Sequence, residues 1–317
     1  MSAAPESPAS RWQHAERRSD VVSLSVVAGH LALVLSPVYG TAAAGPGWLV
    51  LVALLVFGLS MNGVLNLMHE CAHRLVFRRG AWSDVLGRWI VGPLVFADFD
   101  RYRERHWAHH RYLGEPGDTK DAYRVEIRRG AICRLLVDCL SGRVALHKFL
   151  RQESSGTGPA SWRWLGRVTI VQLIFGGTVL LFARAFGPSG WIIAAGHAAI
   201  AYGVVYVYGL MSLTVFMATL RAIAEHQTAG PSAPTRGSAA LRNFTCSPVS
   251  RWLMGAYGFG EHYTHHVEPA IPYYQLGDAT RALAAHDLTM RPGPDYFAVL
   301  ATIVRAPTAP PAARSAS

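Results

Sequence analysis

The stretch WLVLVALLVFGLSMNGVLNLMHECAH, residues 48–73, sets the architecture of this chain. No charged residue interrupts it from Trp48 to Met68, and it then runs directly into His69, Glu70 and His73. A bilayer's hydrocarbon core of about 30 Å needs roughly 20 apolar residues in a helix rising 1.5 Å per residue, and this run supplies them. Its polar end is of another kind. His69 and His73 are four apart, so on a helix they share one face and can meet one metal ion.

Three further segments are as long and as apolar. With the first, the expected spans are about 21–39, 48–68, 168–186 and 191–220. The composition agrees: 51% of residues are hydrophobic and only 16% charged, with a mean hydropathy of +0.20. That is too apolar for an ordinary soluble enzyme. No signal-peptidase site follows the first run, so it is expected to stay as a membrane helix. The fourth span would reach roughly 45 Å as one helix, more than the bilayer requires. It should project, tilt or kink; Gly203 and Gly209 permit a kink, and projection would carry His226 into a cap. Two apolar patches, 85–96 and Ala131–Leu140, are too short to span and carry Arg88 and Arg134. They read as interfacial or capping helices.

Orientation follows from Lys and Arg. Three basic residues precede the first span and none lies in the turn at 41–47. Seventeen fall from His69 through Arg163, none at 187–190, and eight follow Leu220. The positive-inside rule then places both termini and the central loop in the cytoplasm. The fold expected is all-α: an integral membrane protein of four transmembrane helices in two hairpins. A helical cytosolic cap (69–167 and 221–304) would hold a di-metal site. Residues 1–20 and 305–317 read as disordered flanks of a 21–304 membrane domain, and 152–160 as loop. The net charge of +10 is explained by this topology, and no basic helix with interleaved aromatics points to nucleic acid. Cys71, Cys133, Cys139 and Cys246 show no Cys-x-x-Cys spacing and read as reduced thiols.

Nine of the fourteen histidines fall into four clusters: His69 and His73; His106, His109 and His110; His226; and His262, His265 and His266. The His-x-x-His-His triplet occurs twice where chance gives about 0.03. All four clusters fall on the side that the charges assign to the cytoplasm. A His with partners at i+3 and i+4 offers two imidazoles to one ion and one to a neighbour. Nine ligands are too many for one ion and comfortable for two, and imidazole suits Fe, Zn, Cu or Ni. Glu70, Glu225 and Glu261 adjoin the clusters and are assigned mainly to the outer ring of groups that orient ligating histidines. His30 and His197 lie inside spans and are expected to be structural; His14, His147 and His286 have no partners nearby. Arg101, Arg103, Arg105 and Arg111 alternate with the second cluster. They read as positive-inside charge and head-group contacts, with a docking face for an acidic electron donor as the sharper alternative. The run Asp118-Thr119-Lys120-Asp121 reads as a turn or cap, with the mouth of a substrate path as its candidate place.

The motifs His-Glu-Cys-Ala-His (69–73), His-Trp-Ala-His-His (106–110), Glu-His (225–226) and His-Tyr-Thr-His-His (262–266) resemble the histidine boxes of the membrane fatty acid desaturase superfamily. That superfamily also contains alkane hydroxylases and carotenoid ketolases. The similarity runs from about Asn62 to Leu276. It implies two non-haem irons held by the nine histidines, with O2 as co-substrate, removing hydrogen from an unactivated C–H bond. Loss of a second hydrogen gives an alkene; insertion of oxygen gives an alcohol. An acyl lipid or other long apolar molecule is the implied substrate, and a double bond in an acyl chain the favoured product. Acyl-CoA desaturases of the superfamily carry Asn four residues before the lone-box His, where this chain has Ala222, and their first box has four intervening residues where this one has three. Both departures point away from acyl-CoA and toward lipid-linked chains, alkanes or specialised metabolites. No Gly-rich dinucleotide fingerprint or haem segment is present, so electrons must come from a separate ferredoxin or similar donor with its reductase. Two other classes compete. His69-Glu70-x-x-His73 matches the zinc peptidase pattern, but an intramembrane zinc hydrolase leaves both triplets without a job. A histidine-rich metal transporter or haem carrier calls for ionisable residues within the spans, and these are sparse.

Overall fold

The computed structural model describes residues 19–115, 117–119, 131–147, 162–187, 190–226 and 241–305. The flanks and the 152–160 stretch expected to lack order lie outside these residues, apart from Ser19, Asp20 and Arg305; His14, Lys120 and Asp121 lie outside them too. Among the described residues every regular element is helical, and one isolated β-bridge joins Phe244 to Gly293.

Ser19 opens α1 (Asp20–Ala44) by accepting a hydrogen bond from the Val22 amide at 3.3 Å, and Asp20 adds negative charge where the helix dipole favours it. The helix stops at Gly45, whose φ of +80° suits glycine. A Cβ there would sit 2.2 Å from His197 Cε1. His197 thus packs the turn after α1, the structural role expected of it.

The other long helices are α2 (Leu49–Ala72), α6 (Trp162–Phe186) and α7 (Trp191–His226); all four are long and apolar enough to cross a membrane. They extend beyond the apolar runs: α1 passes Tyr39, α2 passes Met68, α6 starts before Val168, and α7 passes Leu220. Backbone hydrogen bonding continues a helix into polar sequence, so hydropathy marks the lipid-facing stretch and not the helix ends. The continuation matters here because it carries His69 and His226 on the same rods that form the bundle.

At 36 residues α7 is the longest element. Two π-helical stretches, Ala201–Tyr208 and Leu210–Thr214, flank Gly209 within it. A Cβ on Gly209 would lie 2.9 Å from Phe57 Cδ1, and one on Gly58 2.6 Å from Leu213 Cβ. These two glycines let the α2 and α7 backbones close, and Thr214 Oγ1 donates to the Gly58 carbonyl at 2.9 Å across the gap. Gly203 makes no comparable approach.

α1 packs against α2 and α6, α6 against α7, and the π-helical part of α7 against α2. Val34, Val38, Phe57, Val179, Val205 and Tyr206 form the shared interior, while Leu51, Leu55, Leu173, Leu181 and Ile192 point outward on an apolar exterior. The 85–96 patch begins in α3 (Gly80–Leu86), follows its helical continuation to Leu94 and ends in the turn at Val95 and Phe96. Its last carbonyls are satisfied by the bundle: Gln172 Nε2 donates to Pro93 O at 2.8 Å and the Tyr206 hydroxyl to Leu94 O at 2.6 Å. The second patch is α5 (Ala131–Leu140), packed on the Leu210–Thr214 stretch of α7.

The remaining helices are α4 (Phe99–Arg111), α8 (Pro248–Leu253), α9 (His262–Val267), α10 (Leu276–Ala284) and α11 (Tyr296–Arg305). α4 packs on the Asn62–Ala72 part of α2 and α11 on the Val215–His226 part of α7. Asn62 and Asn66 fasten the α8 region to α2: Asn62 Nδ2 donates to Leu253 O at 2.8 Å, and Asn66 Nδ2 to Met254 O and Ala256 O, both at 2.9 Å. His30 accepts or donates at Tyr257 Oη (2.9 Å), tying α1 to the same segment. All four cysteines are free thiols.

Candidate metal centre

The four histidine stretches arrive on four elements: the end of α2, α4, the end of α7, and α9. Their rings gather into one group of five and two smaller groups that overlap at His226 and together make a second. His69, His73, His106, His110 and His265 place one donor atom each within 4.8 Å of one another. His109, His226 and His266 do the same, and so do Glu225, His226 and His262, sharing His226. The groups touch through His110 and His266, stacked with centroids 4.3 Å apart.

Helix geometry explains how each triplet divides. Residues i and i+4 are separated by about 40° around the axis, while i+3 falls about 60° to the other side. His106 and His110 accordingly join the first group and His109 does not; His265 joins the first, while His262 and His266 fall in the two groups that share His226, their ring centroids 4.6 Å apart. This is the two-and-one division expected from the spacing.

The ring nitrogens point the right way for ligation. Nε2 atoms face each other at 2.5 Å for His73 and His106, 3.0 Å for His226 and His262, and 3.3 Å for His110 and His265. Two imidazoles on one ion, bonded at about 2.0–2.1 Å, place their nitrogens roughly 3 Å apart; the first pair is tighter than that. Burial, and then the charge of neighbouring imidazoles, pushes His266 well below the usual histidine range, which keeps its lone pair available. The donors present fit a pair of metal ions.

Carboxylates support the rings from behind. His69 Nδ1 lies 3.2 Å from Glu70 Oε1, and His109 Nδ1 lies 2.8 Å from Asp118 Oδ1. A carboxylate that accepts there would hold the proton on Nδ1 and leave Nε2 for a metal ion. Asp118 is the turn residue that the sequence suggests, its Oδ2 accepting from the Gly114 amide at 2.8 Å. Nothing in periodicity marks it as His109's partner. Asp118→Asn is expected to weaken metal binding about 10–100-fold, measured by titration against a competing chelator. Glu225 approaches His262, with Oε2 3.8 Å from Nε2. Glu261 joins none of the three groups; burial raises the pKa of its carboxyl, against a hydrogen bond from Thr280.

The arginines of the second cluster turn inward more than expected. Arg103 pairs with Asp84 and donates to Cys71 O at 3.2 Å, Arg101 sits 3.8 Å from Asp98, and Arg105 donates to Thr119 O at 3.3 Å. Burial works against the Asp84 carboxylate, but Arg74 and Arg103 outweigh it and hold the group below its ordinary range. Asp98 caps α4 by accepting from the Asp100 and Arg101 amides. These bonds brace α4 against α3. Arg111 alone of the four is exposed.

Aromatic residues close the centre. Phe259 lies edge-on to His69 at 4.5 Å and stacks beside His262 at 5.7 Å. With Tyr257 and Leu276 it walls a cleft against His69, His262 and His265 that is too narrow to hold a water molecule.

The family model for fatty acid desaturases matches residues 46–294, a wider stretch than the motifs alone cover. Among characterised relatives, the dihydrorhizobitoxine desaturase of Bradyrhizobium elkanii is 23% identical over 256 residues, which is 74% of this chain and 67% of that protein.

Proposed function

The chain belongs to the fatty acid desaturase family, and on that footing we propose that it is a membrane di-iron oxidoreductase that uses O2 to introduce a double bond into an acyl chain. Its nine histidines would hold the two irons: His69, His73, His106, His110 and His265 around one, and His109, His226, His262 and His266 around the other. The observation that carries this reading is the convergence of imidazoles from four separate stretches into two touching groups. The four apolar helices support two membrane hairpins with the histidine end, and both termini, on the cytoplasmic side.

Bound iron supplies the O2 chemistry that an unactivated C–H bond demands. The chain's own residues do the rest. Glu70 and Asp118 orient His69 and His109, and the bonds of Arg103 and Asp84 set α4 at the right height against α2. Phe259, Tyr257 and Leu276 keep the inner face of the histidines dry. Electrons are to come from an external ferredoxin-like donor.

The hydrolase alternative fits poorly, because Glu70 faces Nδ1 of His69 and the two histidines belong to a group of five. Hydroxylation or ketolation of an alkyl or specialised-metabolite substrate is the second reading. Ala222 and a relative named for dihydrorhizobitoxine support its substrate, a molecule other than acyl-CoA, while that relative's name as a desaturase supports the first reading's reaction. Purified protein in lipid nanodiscs, given ferredoxin, reductase and O2, should yield a lipid lacking two hydrogens by mass spectrometry. A product gaining oxygen would favour the second reading, and no O2-dependent product on either substrate class would overturn both.

A further inference from the structure

We propose that Glu225 is itself a metal ligand, so that one ion is held by imidazoles and a carboxylate and the other by imidazoles alone. This rests on the di-iron reading above and adds to it a chemical difference between the two ions.

The three buried acids at the centre are not equivalent. Glu70 and Asp118 meet their histidines at Nδ1, the side of the ring turned away from the groups. Glu225 instead brings Oε2 to 3.8 Å from Nε2 of His262, and that same Nε2 faces Nε2 of His226 at 3.0 Å. Nε2 is the atom the imidazoles turn toward one another, so Glu225 stands on the ligand side of the ring. The first group contains only histidines.

The other carboxylate oxygen is anchored. Tyr296 Oη lies 2.6 Å from Phe259 O and 3.1 Å from Glu225 Oε1, sharing its one proton between them, and Arg221 Nε lies 3.4 Å from the same Oε1. Arg221 is in turn held over the Phe259 ring at 4.3 Å. One oxygen is thus fixed by protein and the other directed at two imidazoles, the arrangement of a monodentate ligand. Ligand number agrees. The first group has five imidazoles; the second has four, and Glu225 makes its fifth donor.

Charge gives the reason for a carboxylate here. Glu225, His226 and His262 are each about 1% exposed. Arg221 offsets part of the charge on Glu225, but a divalent ion among neutral rings carries its own penalty. Placing the anion on the ion relieves it.

The test uses full-length protein purified in detergent, reconstituted with 57Fe and reduced, with iron counted and Mössbauer spectra recorded. Wild type should hold two irons per chain and show two distinct quadrupole doublets. Glu225→Gln keeps the shape and an acceptor for Tyr296 but removes the anion. It should bring iron toward one per chain and alter one doublet, leaving the other as an internal measure of correct folding. Glu225→Asp, which restores an anion, should recover part of the altered doublet. Tyr296→Phe, which leaves the carboxylate in place, should retain both irons. Two irons with both doublets unchanged in Glu225→Gln would overturn the proposal, as would equal loss of both irons or no recovery in Glu225→Asp. Fewer than two irons in wild type would instead defeat the di-iron reading and take this inference with it.

Discussion

His109→Ala is expected to abolish turnover and to strip iron from the protein while leaving its insertion in the membrane intact. His109 is wholly buried at the meeting of the two groups, 5.0 Å from the His226 ring and 5.1 Å from the His266 ring. Losing even an orienting partner of a ligand costs about 10–100-fold in metal affinity or activity, and losing the ligand should exceed that. Asp118 would be left buried without the imidazole it orients. The helix itself should survive, since alanine is the best helix former and α4 stays braced by Arg103 and Asp84. Membrane extraction, iron analysis and product formation measured side by side check this. Wild-type turnover by the variant would remove His109 from the ligand set.

Asn66→Leu should do the most damage to the scaffold. Its carboxamide donates to two carbonyls, Met254 O and Ala256 O, in the segment that leads to the last histidine cluster. Leucine fills the space but donates nothing. A buried carbonyl deprived of its donor costs about 1–3 kcal/mol; Met254 O is buried and Ala256 O partly so, so the loss is a sizeable part of the roughly 5–15 kcal/mol that keeps a typical protein folded. Because the same bonds set α9 against α2, iron content should fall with stability. Thermal unfolding in detergent should show a clearly lower midpoint, with iron released early. An unchanged midpoint would mean that packing, not these hydrogen bonds, joins the two segments.

The membrane helices are legible in the sequence because lipid solvent imposes one demand, a long uninterrupted apolar run, and four stretches meet it. Helix ends are less legible, since α2 and α7 carry backbone hydrogen bonding into polar sequence and end on His-bearing turns. The clustered histidines stand out through spacing, and the way His109 and His265 part from their neighbours follows from helical angle alone. Their supporting groups do not stand out. Asp118 reaches His109 through a turn, Asn66 acts across 188 and 190 positions, and Tyr296 reaches Glu225 across 71. Such contacts have no period to read. Glu261 adjoins His262 along the chain, and its carboxyl, like those of Glu70 and Asp118, is not among the atoms of the three groups.

The di-iron centre stands or falls on metal analysis of the purified full-length chain. Two irons per chain, with activity that requires both O2 and a reductant and disappears on chelation, is the expected result. A single zinc with hydrolytic activity, or full activity in iron-free protein, is incompatible with it.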